Sequence, residues 1–264
     1  MIQAKVLCDS VHQGNRITTL EVVYPRMIHS EMLRHRMFSR NVASSRAIPV
    51  HKVLREVIKN PAMTCHYGKK QKGMQAYEEL TGWRRWAVKQ IGLKLRLVCV
   101  AAVWLCDKIG AHKQVINRWV EPWTWTTEII TATHYKNFFS LRIHPAAEPN
   151  IHAIAAAMRE AMEHSVPVTL EDGQWHLPLT DDRDADVDID EKIMLSIARC
   201  ARVSYLTHDG VRSPEKDIKL FDQLIGNRHL SPMEHAASPA LGRHGNLMGW
   251  RSYRCDIPHE SGEE

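Results

Sequence analysis

Cysteines are few and far apart, so the sequence gives no sign of a metal site or a disulfide framework. The 264-residue chain has six cysteines and no Cys-x-x-Cys pair. Zinc sites and small disulfide-stabilised domains need cysteines at short, regular spacings. We therefore expect no bound metal and a reducing, cytoplasmic environment.

Long apolar segments are also absent. The longest apolar run, residues 95–106, is shorter than the roughly 20 residues that a membrane-spanning helix needs. The first five residues, Met-Ile-Gln-Ala-Lys, do not have the pattern of a secretory signal peptide. We expect no association with a membrane, and we interpret residues 95–106 as part of a buried helix.

The excess of positive charge is moderate. The formal net charge is +5 at pH 7, and 44% of the residues are hydrophobic. These values are ordinary for a soluble globular protein. The charge suits an anionic ligand such as a nucleotide, but it is too small to require nucleic acid as the partner.

Local patterns predict strands at the start of the chain and helices over much of the rest. Residues 3–9 and 17–24 are predicted as strands of a hairpin around the turn at 12–15. A second hairpin is predicted at 168–177 around Asp172-Gly173, followed by an acidic connector. Apolar periodicity, capping residues and Gly or Pro breaks predict helices over 27–36, 51–60, 77–109, 112–120, 126–141, 150–164, 190–203 and 214–225.

The predicted helix at 77–109 has the longest apolar stripe. Its members are Trp83, Trp86, Ile91, Leu95, Val98, Ala102 and Leu105, with Arg and Lys on the opposite face. A stripe of this kind normally faces the core of a globular protein. We therefore expect this face to be buried.

The most informative stretch is Arg-His-Arg-Met-Phe-Ser-Arg-Asn-Val-Ala-Ser-Ser-Arg, residues 34–46. Arginine binds phosphate groups bidentately and stays charged at physiological pH, so this stretch suits a phosphate-bearing ligand. Composition alone also permits a solvated basic helix end or a nonspecific nucleic-acid patch.

The spacing of these residues resembles the signature of the flavin-dependent thymidylate synthases. Seven residues separate Arg36 from Ser44, with Asn41 and Arg46 in place, and Val42 stands where the family usually has Glu. The resemblance implies that the stretch serves both an FAD site and a nucleotide site. The implied FAD-binding residues are Arg34, His35 and Arg36, and the implied substrate-binding residues are Ser44, Ser45 and Arg46.

Further blocks resemble the same family. They are Arg118–Pro122, Asn137–Arg142, Ala201–Tyr205 and His229–His235. The resemblance implies that Arg118 contacts the nucleotide and that Asn137, Ser231 and Glu234 contact the flavin. It also implies that Arg142 stabilises the ionised pyrimidine and that His229 lies near the reacting ring. The last two blocks usually precede the Arg-His-Arg motif, so the order here indicates a circular permutation.

The family resemblance also implies a fold and a reaction. It predicts an α+β fold with a central antiparallel sheet and long helices. We expect one domain, residues 1–264, with a helical insertion at about 61–110 and a hairpin with an acidic connector at about 165–190. The implied reaction transfers a one-carbon unit from methylenetetrahydrofolate to the 5-position of a pyrimidine deoxynucleotide monophosphate, dUMP to dTMP, with FAD reduced by NADPH. A homotetramer with shared active sites is implied as well.

The identity of the base remains open at this stage. Glu31, an expected substrate-binding residue, and Glu148 stand where the family commonly has Gln. An ionised Glu only accepts hydrogen bonds, which suits the amino group of cytosine. A dCMP methylase or hydroxymethylase is therefore an alternative, and a noncatalytic basic nucleic-acid-binding protein is an alternative from another class.

Overall fold

The computed structural model describes residues 1–203 and 213–258, so Ser204 and Tyr205 of the predicted family block lie outside the described residues. The chain begins with the predicted antiparallel hairpin, formed by β1 (Gln3–His12) and β2 (Asn15–Pro25). Its two turn residues have positive φ, 45° at Gln13 and 78° at Gly14. Positive φ at both positions is typical of the tight turn that matches the twist of paired strands.

The central sheet has five strands in the order β3-β4-β2-β1-β5. The added strands are β3 (Ser39–Val42), β4 (Trp125–Ala132) and β5 (Val168–Thr169). Every pairing in this sheet is antiparallel except that of β5 with β1. The predicted α+β class with a central antiparallel sheet is therefore confirmed.

The helix predicted over 126–141 is wrong in its first half. Residues 125–132 form β4, and the helix α5 (Lys136–Arg142) begins only after it. The run Thr-Thr-Glu-Ile-Ile-Thr is rich in β-branched side chains, which favour an extended backbone. The strand β3 inside the Arg-rich stretch was not predicted either.

The hairpin predicted at 168–177 is also wrong, although its turn forms. Gln174 N–H donates to the carbonyl of Glu171 at 3.1 Å. The flanking segments pair with other strands, because β5 joins β1 and His176 forms a bridge with Ala237.

One face of the sheet is covered by α5 and α6 (Pro149–Glu163). The core here contains Leu20 and Val22 of β2, Ile130 of β4, and Ile151 and Ile154 of α6. Glu148 caps α6, since its carboxylate accepts from the N–H groups of Asn150 and Ile151. The Glu148 side chain is thus committed to the helix end, as expected for an acidic N-cap.

The last third of the described chain packs as a second layer. The helices α7 (Ile189–Ala201) and α8 (Pro214–Gly226) lie together. The buried Arg199 binds both Asp184 and Asp217. The hairpin of β6 (Ala237–His244) and β7 (Leu247–Ser252) follows.

The described residues also form α1 (His29–Met32), α2 (Val50–Lys59), α3 (Gly82–Lys108) and α4 (Lys113–Ile116). The predicted helix at 27–36 is thus shorter, a 3₁₀ turn at 26–28 followed by α1. In the described part of the chain no helix combines the length and apolar character needed to cross a membrane.

The expected burial of the α3 stripe is wrong. The helix packs on α2 through Val100 and Val103, which are buried. The stripe itself faces away, with 74% exposure at Trp83 and 65% at both Ile91 and Val98. The periodicity identified the helix correctly, but no part of residues 1–203 and 213–258 covers this face.

Gly249 of β7 is a position where a side chain should destabilise the fold. A Cβ added there would lie 2.6 Å from Asn15 Cγ, and its φ is +74°. Gly242, with φ +80° and no atom within 4 Å of such a Cβ, is a matched control. We expect Gly242→Ala to lower the free energy of unfolding by about 1–2 kcal/mol, the cost of the left-handed backbone. Gly249→Ala should lose about 1–3 kcal/mol more through overpacking. Equal losses in urea unfolding would contradict the close contact with Asn15.

Candidate active site

The Arg-rich stretch lies in turns between α1 and β3. Its backbone closes on itself: Arg34 N–H donates to the Glu31 carbonyl at 3.3 Å and His35 N–H to the Met32 carbonyl at 3.2 Å. Arg34 and Arg36 are exposed, whereas His35 is partly buried. These turns present two guanidinium groups to solvent and one imidazole to the interior.

Arg142, the last residue of α5, meets this stretch. Its Nε donates to Nε2 of His35 at 2.9 Å, across 107 residues of sequence. Its Nη1 lies 3.4 Å from Glu31 Oε2. The His35 ring packs edge-on against Phe138 of the same helix, with ring centroids 4.7 Å apart. The fold therefore brings Arg142, which lies in a separate block of the sequence, to Glu31 and His35.

The imidazole of His35 is neutral in this arrangement. Burial, followed by the positive charges of Arg142 and Arg40, lowers the pKa of His35 to about 4. Because the Arg142 Nε–H can only donate, Nε2 of His35 is the acceptor and the ring proton is on Nδ1. The neutral ring holds Arg142 by a hydrogen bond without adding a second positive charge.

A cavity of about 400 Å³ lies beside the stretch. It is lined by Arg36, Phe38, Arg40, Ser231, Glu234 and Asn246. Ser231 Oγ donates to Asn41 Oδ1 at 2.9 Å, across 190 residues of sequence. Glu234 Oε1 accepts from Arg254 at 2.5 Å. The block that contains Ser231 and Glu234 thus lies against the Arg-rich stretch, while His229, two residues before Ser231, is exposed.

Asn246 is a cavity residue that the sequence analysis missed. It lies in the turn between β6 and β7, and its Nδ2 donates to the Met37 carbonyl at 3.1 Å and to Ser39 Oγ at 3.0 Å. The dipeptide Gly245-Asn246 is a hairpin-turn signal that could have located the turn. Its contact with residues more than two hundred positions away could not be read from local pattern.

Four of the predicted substrate residues, Ser44, Ser45, Arg46 and Arg118, lie on a second, adjoining part of the chain. Ser45 is buried, and its Oγ donates to Glu121 Oε1 at 2.6 Å. Asn117 Nδ2 donates to the Ser45 carbonyl at 2.8 Å. These contacts fasten the turn that carries Ser44, Ser45 and Arg46 to the 3₁₀ segment that carries Arg118. Arg46 and Arg118 are exposed at this junction, and Asn137 is exposed on the first turn of α5.

A carboxyl group lies next to Val42, on the neighbouring strand. Glu128 of β4 pairs with Val42, is fully buried, and accepts from the hydroxyl of Tyr24. Burial raises the pKa of Glu128 to about 7. Val42, which stands where the family has Glu, therefore lies beside the buried and partly protonated carboxyl of Glu128. This carboxyl is not at the surface.

The cavity residues fit the diphosphate of a flavin dinucleotide. Two guanidinium groups, from Arg36 and Arg40, and the hydroxyl of Ser231 line the cavity. The amide Nδ2 of Asn41, bonded to Ser231 through its other end, is buried without a hydrogen-bond partner among the described residues. Charged forks and a spare amide donor are the groups that bind phosphate oxygens.

Comparison with known protein families matches residues 16–168 to the thymidylate synthase complementing protein. This range is more than half of the chain. The chain belongs to this family, the flavin-dependent thymidylate synthases. The family predicted from the Arg-rich stretch is thus confirmed, and with it a flavin-dependent methyltransferase of pyrimidine nucleotides.

Solved structures resemble this chain at low sequence identity. A UMP/dUMP methylase, PolB from Streptomyces cacaoi bound with 5-Br UMP, is 15% identical with a TM-score of 0.50, covering 61% of this chain and 88% of that one. The flavin dependent thymidylate synthase ThyX from Helicobacter pylori, complexed with FAD and dUMP, is 17% identical with a TM-score of 0.38, covering 56% and 70%. No curated protein matches the sequence significantly. The first likeness supports the fold.

The low pKa of His35 gives a test of its contact with Arg142. In the unfolded chain His35 takes up a proton near pH 6.5, whereas in the folded chain it does so only near pH 4. His35 therefore makes the fold less stable as pH falls through this window. We expect Arg142→Gln to raise the pKa of His35, followed by NMR of its Cε1 proton, because one of the depressing charges is gone. Arg159→Gln removes the same charge from α6, where Arg159 faces Glu163, and should leave the titration unchanged. An unshifted His35 in Arg142→Gln would refute the contact.

Proposed function

We propose that this protein transfers a one-carbon unit from methylenetetrahydrofolate to the 5-position of dUMP, giving dTMP. The observation that carries the proposal is the convergence of Arg142, His35 and Glu31 next to a cavity with two guanidinium groups. The neutral His35 orients Arg142 without adding a second positive charge, and the ion pair with Glu31 fixes the other end of the guanidinium. Membership of the flavin-dependent thymidylate synthase family supports this reading.

Arg142 is assigned the electrostatic role in the reaction. Its Nη1 lies 3.4 Å from Glu31, and its Nε is bound to His35 at 2.9 Å, so the guanidinium is oriented before substrate arrives. A preorganised cation stabilises negative charge that develops on the pyrimidine, and loss of one such group typically costs about 10²–10³ in rate. His229, exposed before the cavity residue Ser231, is assigned a place near the reacting ring.

Separate groups of residues are assigned to the two ligands. Ser44, Arg46 and Arg118 hold the phosphate and sugar of the nucleotide, with Ser45 positioning the turn. The flavin is assigned to Arg34, His35, Arg36, Asn137, Ser231 and Glu234. FAD reduced by NADPH would supply the hydride when bound, so the protein contributes binding, orientation and charge.

Two of the six cysteines, Cys8 and Cys200, are poor candidates for a thiol nucleophile. Burial raises the pKa of Cys8 to about 11 and raises the pKa of Cys200 as well. A thiol with a raised pKa is a poor nucleophile, because the thiolate is the reactive form. The hydride route assigned to the flavin needs no covalent bond between the ring and the protein.

The proposal includes the organisation of the chain. We assign residues 1–264 to one domain with a helical insertion at about 61–110, and we assign the blocks at 201–205 and 229–235 to a circularly permuted position. The contact of Ser231 with Asn41 supports this permutation, because it joins the late block to the Arg-rich stretch. A homotetramer with active sites shared between subunits belongs to the same proposal.

Tritium release decides the substrate. Protein supplied with FAD, NADPH and methylenetetrahydrofolate should release tritium from 5-labelled dUMP, and Arg142→Gln should lower this rate by about 10²-fold or more while FAD binding is retained. Arg159→Gln is the charge-matched control and should keep the native rate. A protein that takes up no FAD but binds duplex DNA with a steep salt dependence would favour the nucleic-acid-binding alternative instead.

Glu31 favours dCMP as a second candidate substrate. Its carboxylate lies beside Arg142 and could accept from the exocyclic amino group of cytosine. For a dUMP enzyme, Glu31→Gln should keep most of the activity, because an amide can accept from the uracil N3–H and donate to a carbonyl. For a dCMP enzyme the same change weakens a charge-assisted hydrogen bond worth about 1.5–3 kcal/mol, a loss of tenfold or more in kcat/KM. Release from dCMP alone in the native protein would replace dUMP in the proposal.

A further inference from the structure

One face of α3 carries a continuous apolar row that nothing in the described chain covers. We call this row the α3 seam; it consists of Val88, Ile91, Leu95, Val98, Ala102, Leu105 and Ile109. All seven residues are exposed. Their spacing alternates between three and four residues over three consecutive heptads.

This spacing is typical of a helix that packs along another helix. A repeat of 3.5 residues keeps the apolar row facing a partner helix at a shallow crossing angle. The opposite side of α3 is already used, since Val100 and Val103 pack on α2. Soluble proteins rarely leave so large an apolar row exposed unless it is an interaction surface.

We propose that the α3 seam binds the α3 seam of a second copy of this chain, antiparallel, about a two-fold axis near Val98. In that arrangement the residue numbers of facing positions add to nearly the same value. Leu95 faces Ala102 of the partner, Ile91 faces Leu105, and Val88 faces Ile109. Each layer of the interface then consists of one residue from each of the two seams.

Packing volume selects the antiparallel direction. A parallel, in-register pair would place Ala102 against Ala102 and leave a cavity in the middle of the interface, which is costly. The antiparallel pair places Leu95 against Ala102 in two symmetric layers around Val98. Large and small side chains then interdigitate, as close packing requires.

Charge along the edge of the seam agrees with this direction. One edge has Lys94 and Lys108 alternating with Ala87 and Ala101. The antiparallel pair places Lys94 beside Ala101 of the partner and Lys108 beside Ala87. No lysine faces a lysine along this edge, and the lysine methylene groups can lie over the small alanines.

The length and symmetry of the row also fit a second copy. From Val88 to Ile109 the seam extends for about 32 Å at 1.5 Å per residue, so an identical helix matches it end to end. A two-fold interface uses the same surface on both subunits and closes on itself. The inference rests on the seam and does not depend on the proposed chemistry.

A single charge placed in the seam tests the interface. Leu95→Glu puts a carboxylate into two layers of the dimer. The native protein should sediment at a multiple of the 30.3 kDa chain mass, and the Leu95→Glu variant at half the native mass. Leu97→Glu is the matched control: Leu95 is 54% exposed and Leu97 49%, but Leu97 lies outside the seam. It should keep the native mass, and circular dichroism should show both variants folded. Equal masses for native protein and Leu95→Glu would overturn the proposal.

Crosslinking tests the direction. With Cys65, Cys99 and Cys106 replaced by serine, a mixture of Ile91→Cys and Leu105→Cys chains should join through a short bismaleimide, whereas Ile91→Cys alone should not. Self-crosslinking of Ile91→Cys would indicate a parallel pair and overturn the antiparallel arrangement.

A monomeric native protein that binds anionic vesicles, and loses this binding in Leu95→Glu, would assign the seam to a lipid surface and overturn the proposal.

Discussion

A buried chain of hydrogen bonds between side chains holds the late part of the sequence against the central sheet. His235 Nδ1 bonds Thr131 Oγ1 at 2.8 Å, and Thr131 bonds Thr19 at 2.6 Å. Thr19 bonds Nε2 of His176 at 2.8 Å, and His176 Nδ1 bonds Ser10 at 2.9 Å. Burial lowers the pKa of both histidines to about 3, so each neutral ring has one donor and one acceptor. Because His176 uses both ring nitrogens, one must donate and the other must accept, so the donor directions at Ser10 and Thr19 are coupled.

The position of the candidate site depends on this series of buried hydrogen bonds. Thr131 pairs in register with Ser39 of β3, so the strand that carries Asn41 is fixed next to the residue that holds His235. Ser231 and Glu234 lie within four residues of His235 and are carried to the cavity by it. A site fixed by buried contacts depends on which residues meet, not on the order of the blocks.

Local signals predicted the parts of the fold that local chemistry decides. The β1–β2 hairpin and the helix α6, with Glu148 before Pro149, follow from turn and cap residues read over a few positions. The strand β4 was missed although its β-branched run favours an extended backbone, because the apolar spacing of the following helix α5 was extended back over it. Asn246 and the exposure of α3 were missed for a related reason, since periodicity identifies an apolar face but not its partner.

Charge and shape together favour a small anion over a duplex at the Arg-rich stretch. The stretch has several arginines, and the nearest carboxylates are already engaged, Glu31 by Arg142 and Glu234 by Arg254. Arg36 and Arg40 line a cavity of about 400 Å³, the size of a small-molecule site. A phosphate-bearing ligand can enter such a cavity and meet two guanidinium forks, whereas duplex DNA needs a broad convex or grooved surface. Because His35 stays neutral, the interior end of the site adds only the charge of Arg142, and the Glu31 carboxylate at 3.4 Å partly offsets that charge.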